Sequence, residues 1–330
     1  MVVTLADLAR ATQLSVSTVS RAWSDPSKVN ESTRRRVLES AAELGYSRDS
    51  SQKTGRAGPG GSVGLIVPDI ANPFFPPIIK AIQERARYRG KTVLLADTDE
   101  QAGEELRLLR DLRERVDGVI LVSARTPESD IDELASICPV VFVNRAVTGS
   151  PSVIIEDNSA IEQAVEHLIA LGHKSICYLN GPKRSWSNDR RRQSVADTCQ
   201  RQSIEFLEFG PFEPQIQAGV RAADLVLASP VTAVIAYDDL IALGLIARLT
   251  ERGVVVGQGV SVIGIDDSPM SGMAYPSLTS IHVPGVEAGT AAVDLLLSLL
   301  ETPEQASPAP LQLESSLVLR GSTGLNTVAS

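Results

Sequence analysis

"LSVSTVSRAW", residues 14–23, has the spacing of a short helix, with hydroxyls and an arginine along one stripe. Val16, Val19 and Ala22 or Trp23 can face inward, which leaves Ser15, Ser17, Thr18 and Arg21 on the outside. The flanking residues extend the pattern. Thr4 suits an N-cap, with Asp7 three positions later, and Leu5, Leu8 and Ala9 form the apolar face of a first helix ending near Ala11. After the turn "TQL", Ser15 caps the second helix. Asn30 caps a third, "ESTRRRVLESAAELGY", with Val37, Leu38, Ala41 and Leu44 inward and Gly45 as its terminator.

Two helices separated by a three-to-four-residue turn, with a third to close the core, describe a helix-turn-helix. In that motif the start of the second helix meets base edges in the major groove. Short hydroxyls let the backbone approach, and Arg21 can pair bidentately with guanine. A solvated face on an ordinary three-helix bundle would show the same periodicity. Charge favours DNA: residues 1–58 hold nine Lys/Arg against six Asp/Glu, whereas the remainder holds 22 against 34. A head of net +3 on a body of net −12 implies that only the head meets a polyanion.

At 330 residues the chain needs two or three domains, and 43% hydrophobic residues suffice for their cores. Cys138, Cys177 and Cys199 are odd in number and lack ligand spacing, which predicts reduced thiols and no metal. "MVVTLADLAR" does not read as a signal peptide, and no apolar run approaches the ~20 residues of a membrane span. The expectation is a soluble, cytoplasmic protein.

From Val63 the chain alternates apolar runs with amphipathic segments. The runs are "VGLIV", "TVLLA", "GVILV", "VVFVN", "SVIIE", "SICYL", "IEFLEF", "TAVIAY", "VSVIGI" and "SIHV". Repeated βα units of this length predict parallel sheets covered on both faces, and ten strands suit two doubly wound subdomains. A ligand would sit between them at the carboxyl ends of the strands. Those ends carry "PDIANPFF", Asn144-Arg145, Asp157-Asn158, "KRSWSNDRRR", Asp238-Asp239 and Asp266-Asp267. Carboxylates, an amide, arginine and aromatic rings suit a polyhydroxylated ring. Each acid also precedes a helix, so N-capping is the alternative, and Asp157 and Asp239 are read as caps only.

"TLADLARATQLSVSTVSRAWSDPSKVNESTRRRVLESAAELGY" closely resembles the DNA-binding head of the LacI/GalR family of bacterial transcription regulators. The core resembles the same family at "GLIVPDIANPFF", "RVDGVIL", "HLIALGHKSICYLNGP", "AVIAYDDLIALG", "VSVIGIDD" and "YPSLTSI". The resemblance implies an all-α helix-turn-helix head on an α/β, periplasmic-binding-protein-like core of two doubly wound parallel-sheet subdomains. Expected boundaries are 1–47 for the head, 48–62 for a linker and 63–330 for the core. Within the core, about 63–158 plus 286–320 would form one subdomain and about 159–285 the other. The implied DNA contacts are Thr4, Ser15, Val16, Ser17, Thr18, Arg21, Lys28, Asn30, Thr33 and Tyr46. The implied effector contacts are Phe74, Phe75, Asn144, Ser185, Ser187, Arg191, Phe212, Asp238 and Asp266. Asp238 stands where the family often has asparagine. Ser194 stands where it usually has glycine, which leaves Arg190 and Arg192 open as alternatives to Arg191.

The implied function is repression of transcription by a homodimer, or a tetramer, on operator DNA, controlled by a sugar, polyol, nucleoside or sugar phosphate in the cleft. No cofactor and no catalysis are expected. A solute-binding sugar receptor would share the core but has no use for the head. A sugar-modifying α/β enzyme would need a phosphate loop, and no Gly-x-Gly-x-x-Gly follows an early strand. His167, His173 and His282 read as structural. The linker departs from the family: Arg48 and Gly55 replace the usual proline and leucine, and Gly55, Gly58, Gly60 and Gly61 each disfavour helix by about 1 kcal/mol. The expectation there is a flexible tether without a hinge helix, in which Lys53 and Arg56 make only salt-dependent phosphate contacts.

Overall fold

The computed structural model describes residues 5–24, 28–44, 61–302 and 309–327. The chain divides into two units, Met1–Gly61 and Ser62–Ser330.

The first unit contains α1 (Leu5–Thr12), α2 (Val16–Ser24) and α3 (Glu31–Glu43). Leu8, Ala9, Val19, Ala22, Val37 and Ala41 form its core, with Leu14 packed against them. Ser15 Oγ accepts from the Thr18 amide at 3.2 Å, and Asn30 Oδ1 from the Ser32 amide at 3.0 Å. Two of the three expected caps, Ser15 and Asn30, are therefore present. Two inward assignments are corrected. Val16 is 49% exposed, because it opens α2 one turn ahead of the Val19–Ala22 contact with the small core. Leu44 is 42% exposed because α3 stops at Glu43, leaving Leu44 as its C-cap. Thr4, Gly45, Tyr46, linker residues 48–60 and the Trp23 side chain lie outside the described residues.

The second unit holds two six-stranded sheets. The chain enters the first through β1 (Ser62–Val67), α4 (Phe75–Tyr88), β2 (Thr92–Asp97), α5 (Ala102–Leu112), β3 (Gly118–Val122), α6 (Glu128–Ile137), β4 (Val140–Val143) and β5 (Ser152–Glu156). It crosses into α7 (Asn158–Ala170), β6 (Ser175–Leu179), α8 (Trp186–Arg201), β7 (Glu205–Phe209), α9 (Ile216–Leu227), β8 (Ala233–Ala236), α10 (Asp239–Glu251), β9 (Ser261–Asp266), α11 (Pro269–Met273) and β10 (Thr279–His282). It then returns through α12 (Gly285–Glu301) and β11 (Leu311–Glu314), and finishes with β12 (Ser316–Val318). The strand orders are β11-β5-β4-β3-β1-β2 and β12-β10-β9-β8-β6-β7. Every named pair is parallel except β10–β12.

The central strands β3, β4, β6 and β8 are buried along their whole length, which is why they read as unbroken apolar runs. In the first sheet, Ile78, Ile82, Ala292 and Leu296 of α4 and α12 cover one face. Leu109, Ile131 and Leu134 of α5 and α6 cover the other. The ten expected strands are β1 to β10. The sequence reading missed β11 and β12, edge strands of four and three residues that carry polar side chains among the apolar ones. Assigning residues 286–320 to the first half needs correction at its end. α12 and β11 do join the first sheet, but β12 pairs antiparallel with β10, Ser280 opposite Val318, and covers an edge of the second sheet. Among the described residues no helix is long and apolar enough to cross a membrane.

Candidate functional site

Each sheet reverses its strand order beside its first strand, at β1/β3 in one and β6/β8 in the other. Such switch points leave a crevice at the carboxyl ends of the strands. Here the crevice is a narrow cavity lined by Asn72, Phe74, Phe75, Ser123, Arg125, Asn144, Arg191, Pro214, Tyr237, Asp238 and Asp266.

Side chains from both halves meet there. After β1, Asn72 Oδ1 accepts from the Phe74 amide at 2.9 Å, and its Nδ2 donates across the cleft to Asp238 Oδ2 at 3.4 Å. The Phe74 and Phe75 rings stand edge to face, 4.9 Å apart. Asn144 ends β4 with φ 58°, a left-handed conformation that asparagine tolerates better than most residues. Its Nδ2 donates to Ser123 Oγ at 3.2 Å, while its buried Oδ1 has no partner. Arg125 is clamped by both oxygens of Glu100, at 2.6 and 2.9 Å.

Arg191 is the arginine of its segment that reaches the cavity. Its Nε donates to Asp157 Oδ2 at 2.5 Å and its Nη1 to the Tyr237 carbonyl at 2.9 Å, while its buried Nη2 has no partner. Arg190 pairs instead with Glu156 and lies over the Trp186 ring, and Arg192 pairs with Glu208. A larger open groove between α7 and α8 is lined by Glu162, Arg190 and Arg201. Both of its arginines already have acid partners, so it offers a ligand no unpaired arginine.

Six expected effector residues therefore converge: Phe74, Phe75, Asn144, Arg191, Asp238 and Asp266. Ser185 and Ser187 stand behind the wall. Ser185 Oγ lies 3.0 Å from both the Tyr237 hydroxyl and Ser187 Oγ, and accepts from the Asn188 amide at the start of α8. Phe212 packs against the second sheet's core, two residues before the lining Pro214. The capping assignments are overturned. Asp157 makes no side-chain cap and holds Arg191 instead. Asp239 accepts from the Ser268 amide and from the Ser271 and Ser280 hydroxyls. Asp238 caps α10 through the Ile241 amide at 2.8 Å while lining the cavity. The reading missed Asn72, Ser123, Arg125, Pro214 and Tyr237. Applying the strand-end rule to "SAR" after β3 would have found Ser123 and Arg125.

The histidines are structural. His173 bonds Thr232, Ser261 and the Gly324 carbonyl, His167 meets Thr323, and His282 meets Asp267.

Burial dominates the site's electrostatics. Asp238 is pushed from its ordinary 3.8 up to about 7, chiefly by desolvation and then by neighbouring Asp239, against the pull of the Ile241 amide and Arg191. Asp266 is raised by the same burial, which outweighs Arg191. A carboxyl whose folded pKa lies above its unfolded value is fully tolerated at low pH and costs stability as pH climbs from about 4 to about 7. The melting temperature of the wild type should therefore fall more steeply between pH 5 and pH 8 than that of Asp238→Asn, which keeps a capping oxygen. Parallel thermal melts across that window check this, and equal slopes would contradict it.

Residues 4–49 match the family described as "Bacterial regulatory proteins, lacI family", and residues 165–323 match the "Periplasmic binding protein-like domain". The HTH-type transcriptional repressor CytR of Escherichia coli (strain K12) is 32% identical over 331 residues, 97% of this chain and 96% of its own. The crystal structure of the lac repressor dimer bound to operator and the anti-inducer ONPF is 29% identical. It covers 98% of this chain and 99% of that one, with a TM-score of 0.73. A LacI family transcriptional regulator from Enterococcus faecium with bound ribose is 27% identical, with a TM-score of 0.70 over 80% of this chain and 98% of that one. The three-helix head, the paired sheets and the similarity along nearly the whole chain agree: this protein belongs to the LacI family of bacterial transcription regulators.

Proposed function

We infer that the protein is an operator-binding repressor whose hold on DNA is set by a small sugar-like effector between the two core halves. It is a regulator rather than an enzyme. The observation that carries the reading is the outward face of α2. Ser15, Ser17 and Arg21 are exposed there, Ser15 Oγ lies 2.8 Å from Thr18 Oγ1 and 2.9 Å from Ser17 Oγ, and Val16 stands out beside them. Short hydroxyls and an arginine can read base edges, and an exposed valine suits a thymine methyl. Lys28, Asn30 and Thr33 supply flanking contacts in this reading, although Asn30 has committed its carbonyl oxygen to capping α3. A dimer would engage two half-sites, and the work takes place in the cytoplasm, where the operator is.

Control follows from linkage. An effector that prefers one closure state of the cleft shifts operator affinity by its differential binding, typically about 1–3 kcal/mol. The test starts with selection of a binding site from random duplexes by the purified full chain. Arg21→Ala should then weaken the selected site by about 1–3 kcal/mol, roughly 5- to 150-fold, and random DNA hardly at all. An equal loss on both would make Arg21 a phosphate contact. Thermal melts against sugars, polyols and nucleosides test the effector, since a ligand that binds only the folded state raises the melting temperature.

A further inference from the structure

We propose that closure of the cleft between the two sheets is proton-linked: Asp238 and Asp266 hold a proton between them when the cleft is shut and release it when water reaches them. The proton then acts on this regulator alongside its effector. The inference rests on the cleft control inferred above only for its consequence on DNA.

The two acids stand side by side. Strands β8 and β9 run parallel with Ile235 opposite Ile263, and continuing that register by three residues brings Asp238 abreast of Asp266. Neighbouring strands lie about 4.8 Å apart, and two carboxylates that close resist joint ionisation. Neither has a cation of its own. Among the described residues no salt bridge includes either acid, because Arg191 spends its Nε on Asp157 and Arg125 is spanned by Glu100.

The wall that keeps water from them belongs to the other half of the core. Phe74 packs against the cores of both sheets, and Asn72 Nδ2 reaches across to Asp238 Oδ2 at 3.4 Å. With this wall in place Asp238 is 2% exposed. Opening the cleft draws Asn72 and Phe74 away and hydrates both carboxyls. Their affinity for a proton therefore differs between the open and closed forms, which is the condition for linkage.

The charged neighbours set the sign. Arg191 of α8 favours the ionised acids, whereas Asp239 at the start of α10 opposes ionisation of both and Asp157 beyond β5 opposes that of Asp266. Tyr178 of β6 is raised by burial and stays neutral. The Tyr237 hydroxyl faces Ser185, and His282 of β10 pairs with Asp267. Burial outweighs the rest: it pushes Asp238 up to about 7 and raises Asp266 as well. A solvated carboxyl sits near 3.8, so the closed form keeps a proton that the open form gives up between about pH 4 and pH 7. Acid favours closure, and the preference is lost as pH rises through about 7. Asp239 is also buried, but its donors, the Ser268 amide and the Ser271 and Ser280 hydroxyls, all come from its own half. Closure leaves its surroundings unchanged.

The test reads closure directly, on the full chain without sugar or DNA. Spin labels at Ser129→Cys and Gln217→Cys, exposed sites in opposite halves, report the width of the cleft in a Cys138→Ser background. Labelled protein is diluted with unlabelled protein so that only distances within one protomer are read. From pH 5 to pH 8 the ratio of short to long distances should fall at least about tenfold, since one linked proton changes it by up to about tenfold per pH unit. The fall should level off above about 7. Asp238→Asn, which keeps a capping oxygen for α10, should shrink the response, and Asp238→Asn combined with Asp266→Asn should remove it. A wild-type ratio that ignores pH, or a response that survives the double substitution, would overturn the inference. Loss of the response in His282→Gln would overturn it too, by moving the sensor to the histidine. Operator affinity over the same range separates the two readings. A pH-dependent cleft with pH-independent operator affinity would support proton-linked closure and contradict control of DNA binding by the cleft.

Discussion

Replacing Arg191 by alanine should abolish the effector response and lower the melting temperature of the core in one step. The guanidinium is 2% exposed and bridges three groups: the Asp157 carboxylate, the Tyr237 carbonyl and the cavity itself. It is also the cation that favours the ionised form of Asp266 against the burial that disfavours it. Removing one partner of a buried pair leaves the other charge uncompensated, a loss of about 3–5 kcal/mol. For a unit of this size that corresponds to a fall on the order of 10 °C. Effector affinity should drop by at least about 100-fold, within the 2–5 kcal/mol range for truncating a buried hydrogen-bonded charge. Arg191→Lys separates the two roles. A lysine restores charge beside Asp157 but cannot reach three directions at once, so stability should partly recover and effector binding should not. Calorimetry and thermal melts on both variants check this. Wild-type effector affinity in a destabilised Arg191→Ala protein would reduce Arg191 to a structural ion pair.

The second large effect is expected where α9 crosses α10 over the second sheet. A Cβ on Gly244 would lie 1.9 Å from the Ile216 carbonyl oxygen, and one on Gly219 2.0 Å from that of Ile241. Both obstacles are backbone, so no side chain can rotate away. The two helices must separate, which loosens Ala222, Val226, Ile241 and Leu245 from the core beneath them. Alanine gains about 1 kcal/mol of helix propensity over glycine. Overpacking costs typically about 1–3 kcal/mol, and more when the backbone must shift. Gly244→Ala should therefore destabilise by about 2 kcal/mol, and Gly244→Val by more. Gly103→Ala serves as the control, since a Cβ there meets nothing within 4 Å. It should be neutral or mildly stabilising. Denaturant unfolding of the three variants decides the matter, and equal stabilities for Gly244→Ala and Gly103→Ala would contradict the tight crossing.

The head and the succession of core strands along the chain were legible from local pattern. Burial repeats every 3.6 residues in a helix, and it is continuous in a strand covered on both faces. Residues 14–23 thus announced their helix, and ten apolar runs announced β1 to β10. The end of each strand also named most of the cavity: Phe74, Phe75, Asn144, Arg191, Asp238 and Asp266 all stand just beyond one or early in the following helix. Periodicity could not show which acid answers to which partner. Asp157 and Asp239 look like helix caps in one dimension. In the folded chain Asp157 meets an arginine 34 positions away, and Asp239 a serine 41 positions away. The bond from Asn72 to Asp238 spans 166 positions. Edge strands β11 and β12 escaped notice for a related reason: they are short, and pairing with distant strands defines them more than burial of their own residues does. The sequence by itself determined the elements, because burial periodicity is a local property. The pairing of charges around the cavity, and with it the chemistry the site can accept, was decided only where distant strand ends converge.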